Sequence, residues 1–251
     1  EYAKIMLPEL TFPYLIPGQE VLLDDGKIHL KIVEKAENMA ENGGENTQGK
    51  RYFAKVLWGG LLKSRKSAAL PGAKIYPPTL TNSDLANIKI AKEMGVTGVM
   101  QPFVRDHSDL ECVKEALREA GAEDIRLFAK IENMDGVRKL EKLLPAADEI
   151  VIARGDLGNA VHLWDLPGVQ RQISEKCRAA GKPFMVVTQM LASMERSPVP
   201  TRAEVNDIFH AVMDGAASIM VTGETAVGDY PVEVIRYMVN TVRSAEKEEN
   251  R

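Results

Sequence analysis

The sequence predicts an α/β protein built around a parallel sheet, preceded by a small β-rich domain. Three observations carry this. Short apolar runs at 96–103, 125–131, 149–153, 183–187 and 217–221 alternate with stretches of helical period at 83–94, 109–120, 136–144, 168–180, 202–214 and 232–247. Strands separated by helix-length segments imply right-handed βαβ crossovers, hence parallel pairing. The run 149–153 shows it best, apolar from Ile150 to Ala153 as a strand buried on both faces is. Residues before about 76 read differently, as strands and turns without helices.

In the first part, Val21-Leu-Leu-Asp-Asp-Gly26 followed by the alternating run 27–33 predicts a hairpin turning at Asp25-Gly26. The polar stretch 34–50, with Gly43-Gly44, reads as an exposed connection, and 52–57 as a further strand before Gly59-Gly60. The expected domains are 1–75, a small β domain, and 76–251, the βα-repeat domain, divided near Leu70-Pro-Gly72 and Pro77-Pro78. Within the second, Thr201 with Glu204 predicts a capping box. Gly121, Gly181 and Gly215 fall where left-handed helix ends are expected. Five βα units are legible where a closed barrel takes eight, which leaves open whether more strands precede Glu1 or the sheet is open.

Composition narrows the function classes. A net charge of −4 gives no basic footprint for nucleic acid. No apolar run reaches the roughly 20 residues of a membrane span, and no signal peptide opens the chain. Cys112 and Cys177, far apart in helix-like stretches, read as buried thiols of a reducing, cytoplasmic protein. Met190, Met194 and Met213 read as core filler, and the four histidines show no metal-ligand spacing.

The chemistry gathers at strand ends, where loops of parallel α/β sheets converge on ligands. Glu149-Ile-Val-Ile-Ala-Arg-Gly-Asp-Leu-Gly158 turns from wholly apolar to Arg154, Gly155 and Asp156 within one step. A structural ion pair in a strand-to-loop turn is the plainer alternative. In Arg126-Leu-Phe-Ala-Lys-Ile-Glu-Asn133, Lys130 sits inside an apolar strand with Glu132 on the same face by period two. Burying a lone ammonium is costly, so Lys130 needs an anionic partner. Glu132 and Asp156 then form two carboxylates at adjacent strand ends, able to hold one hard divalent ion. The next strands end in Thr188 and in Thr222, Glu224 and Thr225.

Five motifs, in order and spacing, resemble the pyruvate kinase family: Lys130-Ile-Glu-Asn133, Ile152-Ala-Arg-Gly-Asp-Leu-Gly158, Thr188-Gln-Met-Leu191, Pro200-Thr-Arg-Ala-Glu204 and Gly223-Glu-Thr-Ala226. The first 75 residues resemble its small β-barrel lid domain. The resemblance implies a (β/α)8 barrel with a lid, and phosphoryl transfer from phosphoenolpyruvate to ADP with Mg²⁺ (or Mn²⁺) and usually K⁺. It further implies a cytoplasmic homo-oligomer. It gives Lys130 and Thr188 catalytic roles, assigns Lys130, Arg154, Gly155, Asp156 and Thr188 to substrate, and Glu132 and Asp156 to metal. No segment matches the family's first three barrel strands, with their Asn-Phe-Ser-His type motif for K⁺, or its C-terminal regulatory domain. Departures lie on the nucleotide side: Ala69 stands for an asparagine, Trp58-Gly-Gly60 for Asn-Gly-Gly, and Gln101-Pro-Phe103 for Ala-Ser-Phe. They leave ADP and ATP use open. They also admit a metal-dependent aldolase or lyase acting on a pyruvate enolate without nucleotide, or a non-catalytic subunit.

Overall fold

The computed structural model describes residues 3–24, 26–36, 51–64, 66–73 and 75–249. The chain separates into two compact units, Glu1–Pro78 and Thr79–Arg251.

In the first unit, β1 (Glu20–Leu23), β2 (Ile28–Lys35), β3 (Tyr52–Trp58) and β4 (Ala68–Ala69) form an antiparallel sheet in the order β3-β2-β1-β4. The expected β1–β2 hairpin is present, with Leu23 opposite Ile28. Its connection runs over four positions, and Asp24 takes the left-handed conformation at φ 50°. Asp25 and the connection 37–50 lie outside the described residues. Val21, Leu23, Ile28, Leu30, Ile32, Leu15 and Leu70 form the core of this unit. A 3-10 helix at Glu9–Tyr14 corrects the expectation of a helix-free segment. It begins behind Pro8 and contains Pro13, and six residues are too few to show a helical period.

The second unit carries five parallel strands in sequential order: β5 (Gly98–Gln101), β6 (Arg126–Ile131), β7 (Glu149–Ala153), β8 (Phe184–Val187) and β9 (Ser218–Met220). Between and after them run α1 (Asn82–Ala91), α2 (His107–Glu119), α3 (Met134–Arg138), α4 (Leu140–Leu143), α5 (Arg154–Ala160), α6 (Leu166–Ala179), α7 (Arg202–Met213), α8 (Gly223–Ala226) and α9 (Pro231–Glu249). β7 is buried at every position. Its two faces serve different clusters, as period two requires. Ile150 and Ile152 join the large core with Leu127, Ala129, Ile131, Phe184 and Val186. Val151 and Ala153 join a smaller cluster with Val187, Phe128 and Met220.

The capping box at Thr201 and Glu204 forms as expected. Gly121, Gly181 and Gly215 adopt φ of 63°, 61° and 86°. The single helix expected over 136–144 is two short ones, α3 and α4. The first starts earlier because the Asn133 side chain caps it, accepting from the Gly136 N–H at 2.9 Å. The segment read as a loop at Arg154-Gly-Asp-Leu-Gly158 winds directly into α5, where fully buried Leu157 supplies the packing that two glycines take from helix propensity. Cys177 is a buried free thiol, pushed up to about 12 by burial against a partial pull from Lys182. Cys112 is free but exposed, on the solvent side of α2, and Met213 is also exposed. Both correct the expectation of burial. Met190 and Met194 are fully buried. No described helix is long and apolar enough to cross a membrane.

Candidate active site

All five strands run in parallel, so their carboxyl ends share one edge. At the end of β6, Lys130 Nζ lies 2.8 Å from Glu132 Oε1, and the two side chains are 25% and 1% exposed. The lysine thus finds the anionic partner its position demands, on the face predicted by alternation. The other carboxylate oxygen, Oε2, accepts the Phe103 N–H at 2.7 Å. Phe103 follows β5 in the left-handed region, φ 51°. Two further bonds stitch this turn to β6. The Val104 N–H donates to the Lys130 carbonyl at 3.2 Å, and Asn133 Nδ2 donates to the Val104 carbonyl at 3.1 Å. Glycine is required at 136, since a Cβ there would stand 2.6 Å from the Val104 carbonyl oxygen. Glu132 is therefore fixed from the lysine side and the amide side together.

At the end of β7 the chain enters α5. Arg154 Nη1 reaches Asp207 Oδ1 and Oδ2 on α7 at 2.8 and 2.7 Å, and Nη2 donates to the Thr188 carbonyl at 2.7 Å. The guanidinium forms a structural ion pair, but across to α7 and not within the strand-to-loop turn that the sequence allowed as an alternative. The Gly155 N–H donates to Thr188 Oγ1 at 2.9 Å, and that hydroxyl donates to the Val187 carbonyl at 2.5 Å. Arg154, Gly155 and Thr188 are thus brought together. Asp156, in the first turn of α5, is half-buried.

At the end of β9, Glu224 is 2% exposed and acts as a strut. Its oxygens accept the Leu191 N–H at 3.2 Å and the Thr222 N–H at 2.8 Å. Thr225 Oγ1 donates to the Thr222 carbonyl at 3.3 Å. Glu204 similarly ties the cap of α7 to the loop after β8, accepting from Ser193 N and Oγ at 2.7 and 2.6 Å. Burial pushes its carboxyl up, but the bonds from Ser193 and Thr201 outweigh this and hold it below its ordinary value.

Two of these groups escape sequence reading. Asp207 stands 53 positions from its partner Arg154, and nothing local marks it. Phe103 contributes only its backbone. Glu224 is legible as a polar residue at a strand end, though not as a buried one.

A protein-family model for the pyruvate kinase barrel domain matches residues 5–235. The chain belongs to the pyruvate kinase family. It is 38% identical over 230 residues to the pyruvate kinase of Bacillus licheniformis, covering 92% of this chain and 38% of that one. The pyruvate kinase of Geobacillus stearothermophilus is 39% identical over 233 residues, 91% of this chain and 38% of the relative. That of Chlamydia trachomatis serovar D is 35% identical over 247 residues, 98% and 48%. The chain therefore spans between about two fifths and one half of the length of these curated relatives. Of the departures from the family's pattern, Trp58 has a packing role in the small unit. Its ring meets His29 edge-on at 4.3 Å, and its Nε1 donates to the Gly26 carbonyl at 3.4 Å. Ala69 lies in β4 and Pro102 is exposed after β5.

Proposed function

We propose that this chain carries the phosphoenolpyruvate side of a phosphotransferase site, which passes the phosphoryl group to ADP and yields pyruvate and ATP with Mg²⁺ or Mn²⁺. The observation that carries the reading is the Lys130–Glu132 pair: a part-open cation held by a buried carboxylate at a strand's carboxyl end. Lys130 would stabilise charge developing on the transferring phosphoryl and on the enolate oxygen, the use to which fixed cations are put in phosphoryl transfer.

Glu132 and Asp156 are the proposed metal ligands. The donor set fits a hard ion. Glu132 spends one contact per oxygen on Lys130 and Phe103, and a carboxylate oxygen accepts more than one. Among the described residues no three of His, Cys, Asp or Glu gather as a metal group, and the proposed set is these two carboxylates alone. That leaves positions for water and substrate oxygens, the arrangement Mg²⁺ favours. When bound, the ion would neutralise negative charge on substrate oxygens. The backbone at Gly155 and Asp156 would meet the substrate carboxylate, the Gly155 N–H shared with Thr188 Oγ1, with Arg154 serving from behind through Thr188. Thr188 would lie beside the methylene carbon that takes the proton. K⁺ use, homo-oligomeric assembly and a cytoplasmic location belong to the same family-based proposal for the full-length protein.

The replacements at Trp58, Ala69 and Pro102 favour a second reading, in which the enolate and metal chemistry stands and nucleotide is not used. Titrating oxalate, a planar dianion resembling pyruvate enolate, by calorimetry at fixed Mg²⁺ with and without saturating ADP separates the two. The phosphotransferase predicts that ADP changes oxalate affinity by about 5–150-fold, since the two ligands would share a site. Binding indifferent to ADP selects the aldolase or lyase. No binding at all defeats both and leaves a non-catalytic subunit.

A further inference from the structure

Thr188 and Gln189 close β8 at φ 74° and 54°, a conformation non-glycine residues rarely take and one that strains a β-branched residue most. Such turns persist where their surroundings over-determine them. Here both ends are pinned. At the far end, the Leu191 N–H is held by buried Glu224. At the near end, the Thr188 carbonyl accepts from Arg154 Nη2, and Arg154 is itself held by both carboxylate oxygens of Asp207. The Arg154 side chain is 12% exposed and that of Asp207 34%. The restraint on a strained turn at the rim thus ends on one half-open carboxylate across 53 positions of chain.

We propose that Asp207 is a positioning residue that acts through Arg154 to hold the Thr188 turn, and so fixes the Thr188 hydroxyl against the Gly155 amide at the rim of the site. One nitrogen, Nη1, bridges both Asp207 oxygens, and charge-assisted bonds to a carboxylate are the stronger kind, comparable in size to the strain they oppose. Without the carboxylate, Arg154 is free to swing toward solvent, the Thr188 carbonyl loses its ionic donor, and the turn relaxes. The hydroxyl then leaves the Gly155 N–H. Any consequence for catalysis rests on the proposed role of Thr188; the positioning itself does not.

The test reads the Gly155 amide by NMR hydrogen exchange in wild type, Asp207→Asn, Asp207→Glu and Asp109→Asn, the last breaking an ion pair of the same type on α2. Arg154→Lys serves as a second variant, because a point charge cannot bridge Asp207 and the Thr188 carbonyl as a fork does. The proposal expects Gly155 exchange to rise about tenfold or more in Asp207→Asn and in Arg154→Lys, to return close to wild type in Asp207→Glu, and to stay put in Asp109→Asn. It also expects kcat for pyruvate formation by the full-length protein to fall about tenfold in Asp207→Asn, with KM moving less. Unchanged Gly155 exchange in folded Asp207→Asn and Arg154→Lys would overturn it. So would an equal rise in Asp109→Asn, which would mark a general loss of stability. A wild type without turnover would sink the phosphotransferase reading and leave the Gly155 result to decide the positioning role.

Discussion

Replacing Lys130 by methionine should destabilise the protein more than replacing Glu132 by glutamine, and the difference follows from where each member of the pair sits. Glu132 is 1% exposed at its side chain and accepts from only two groups described here, Lys130 Nζ and the Phe103 amide. Lys130→Met leaves that carboxylate buried with one backbone donor, a situation that costs about 3–5 kcal/mol. Glu132→Gln leaves Lys130, whose side chain is 25% exposed and can turn its ammonium to water, and keeps an acceptor for Phe103. That loss should be about 1–2 kcal/mol. For a unit of this size each kcal/mol moves the melting temperature by about 2–4 °C, so the shifts should be about 6–20 °C against about 2–8 °C. The double variant should recover part of the first loss, because it removes the stranded charge. Thermal unfolding followed by circular dichroism at neutral pH, without added ligands, measures all three. A Lys130→Met protein that melts with wild type, or an order in which Glu132→Gln costs more, would refute the claim that the pair is a buried carboxylate served by an open cation.

Asp109 offers a test of acid sensitivity at a residue outside the proposed ligand set. Burial pushes its carboxyl up, but bonds from Arg105 and Thr79 and the Arg105 charge outweigh that and hold it at about 2, below its ordinary 3.8. A depressed carboxyl stabilises the fold above its unfolded value, and the contribution fades as pH falls from about 4 toward 2. Asp109→Asn should therefore lose about 2 kcal/mol at neutral pH in urea unfolding and show a flatter acid limb; an unchanged limb would remove Asp109 from the account. Asp156→Asn should weaken Mn²⁺ binding, seen as a smaller rise in melting temperature with metal than in wild type, and an equal rise would remove Asp156 from the ligand set.

The sheet was legible because its strands are apolar runs of the right length, and period two alone put Lys130 and Glu132 on one face. The capping box at Thr201 and the glycine helix ends were legible because their chemistry is local. What escaped is non-local or overridden. Arg154 reads as a rim cation, yet it is tied to Asp207, whose partnership depends on the packing of α7. Glu224 reads as a polar rim residue and is a buried strut for two backbone amides. Gly155 and Gly158 argue against a helix, but burial of Leu157 imposes one. Cys112 lies in a helix as expected, on the face that helix turns to solvent. The left-handed turns at Phe103 and Thr188 had no sequence signal, since neither uses glycine.

If Lys130, Glu132 and Asp156 serve phosphoryl transfer as proposed, turnover by the full-length protein depends on them. Pyruvate and ATP should both appear from phosphoenolpyruvate, ADP and Mg²⁺. In Lys130→Met, assayed below its own melting temperature, kcat should fall by about 10²-fold or more, the loss expected on removing an electrostatic stabiliser of the transition state. No turnover in the wild type, or near-wild-type turnover in folded Lys130→Met, would contradict the account.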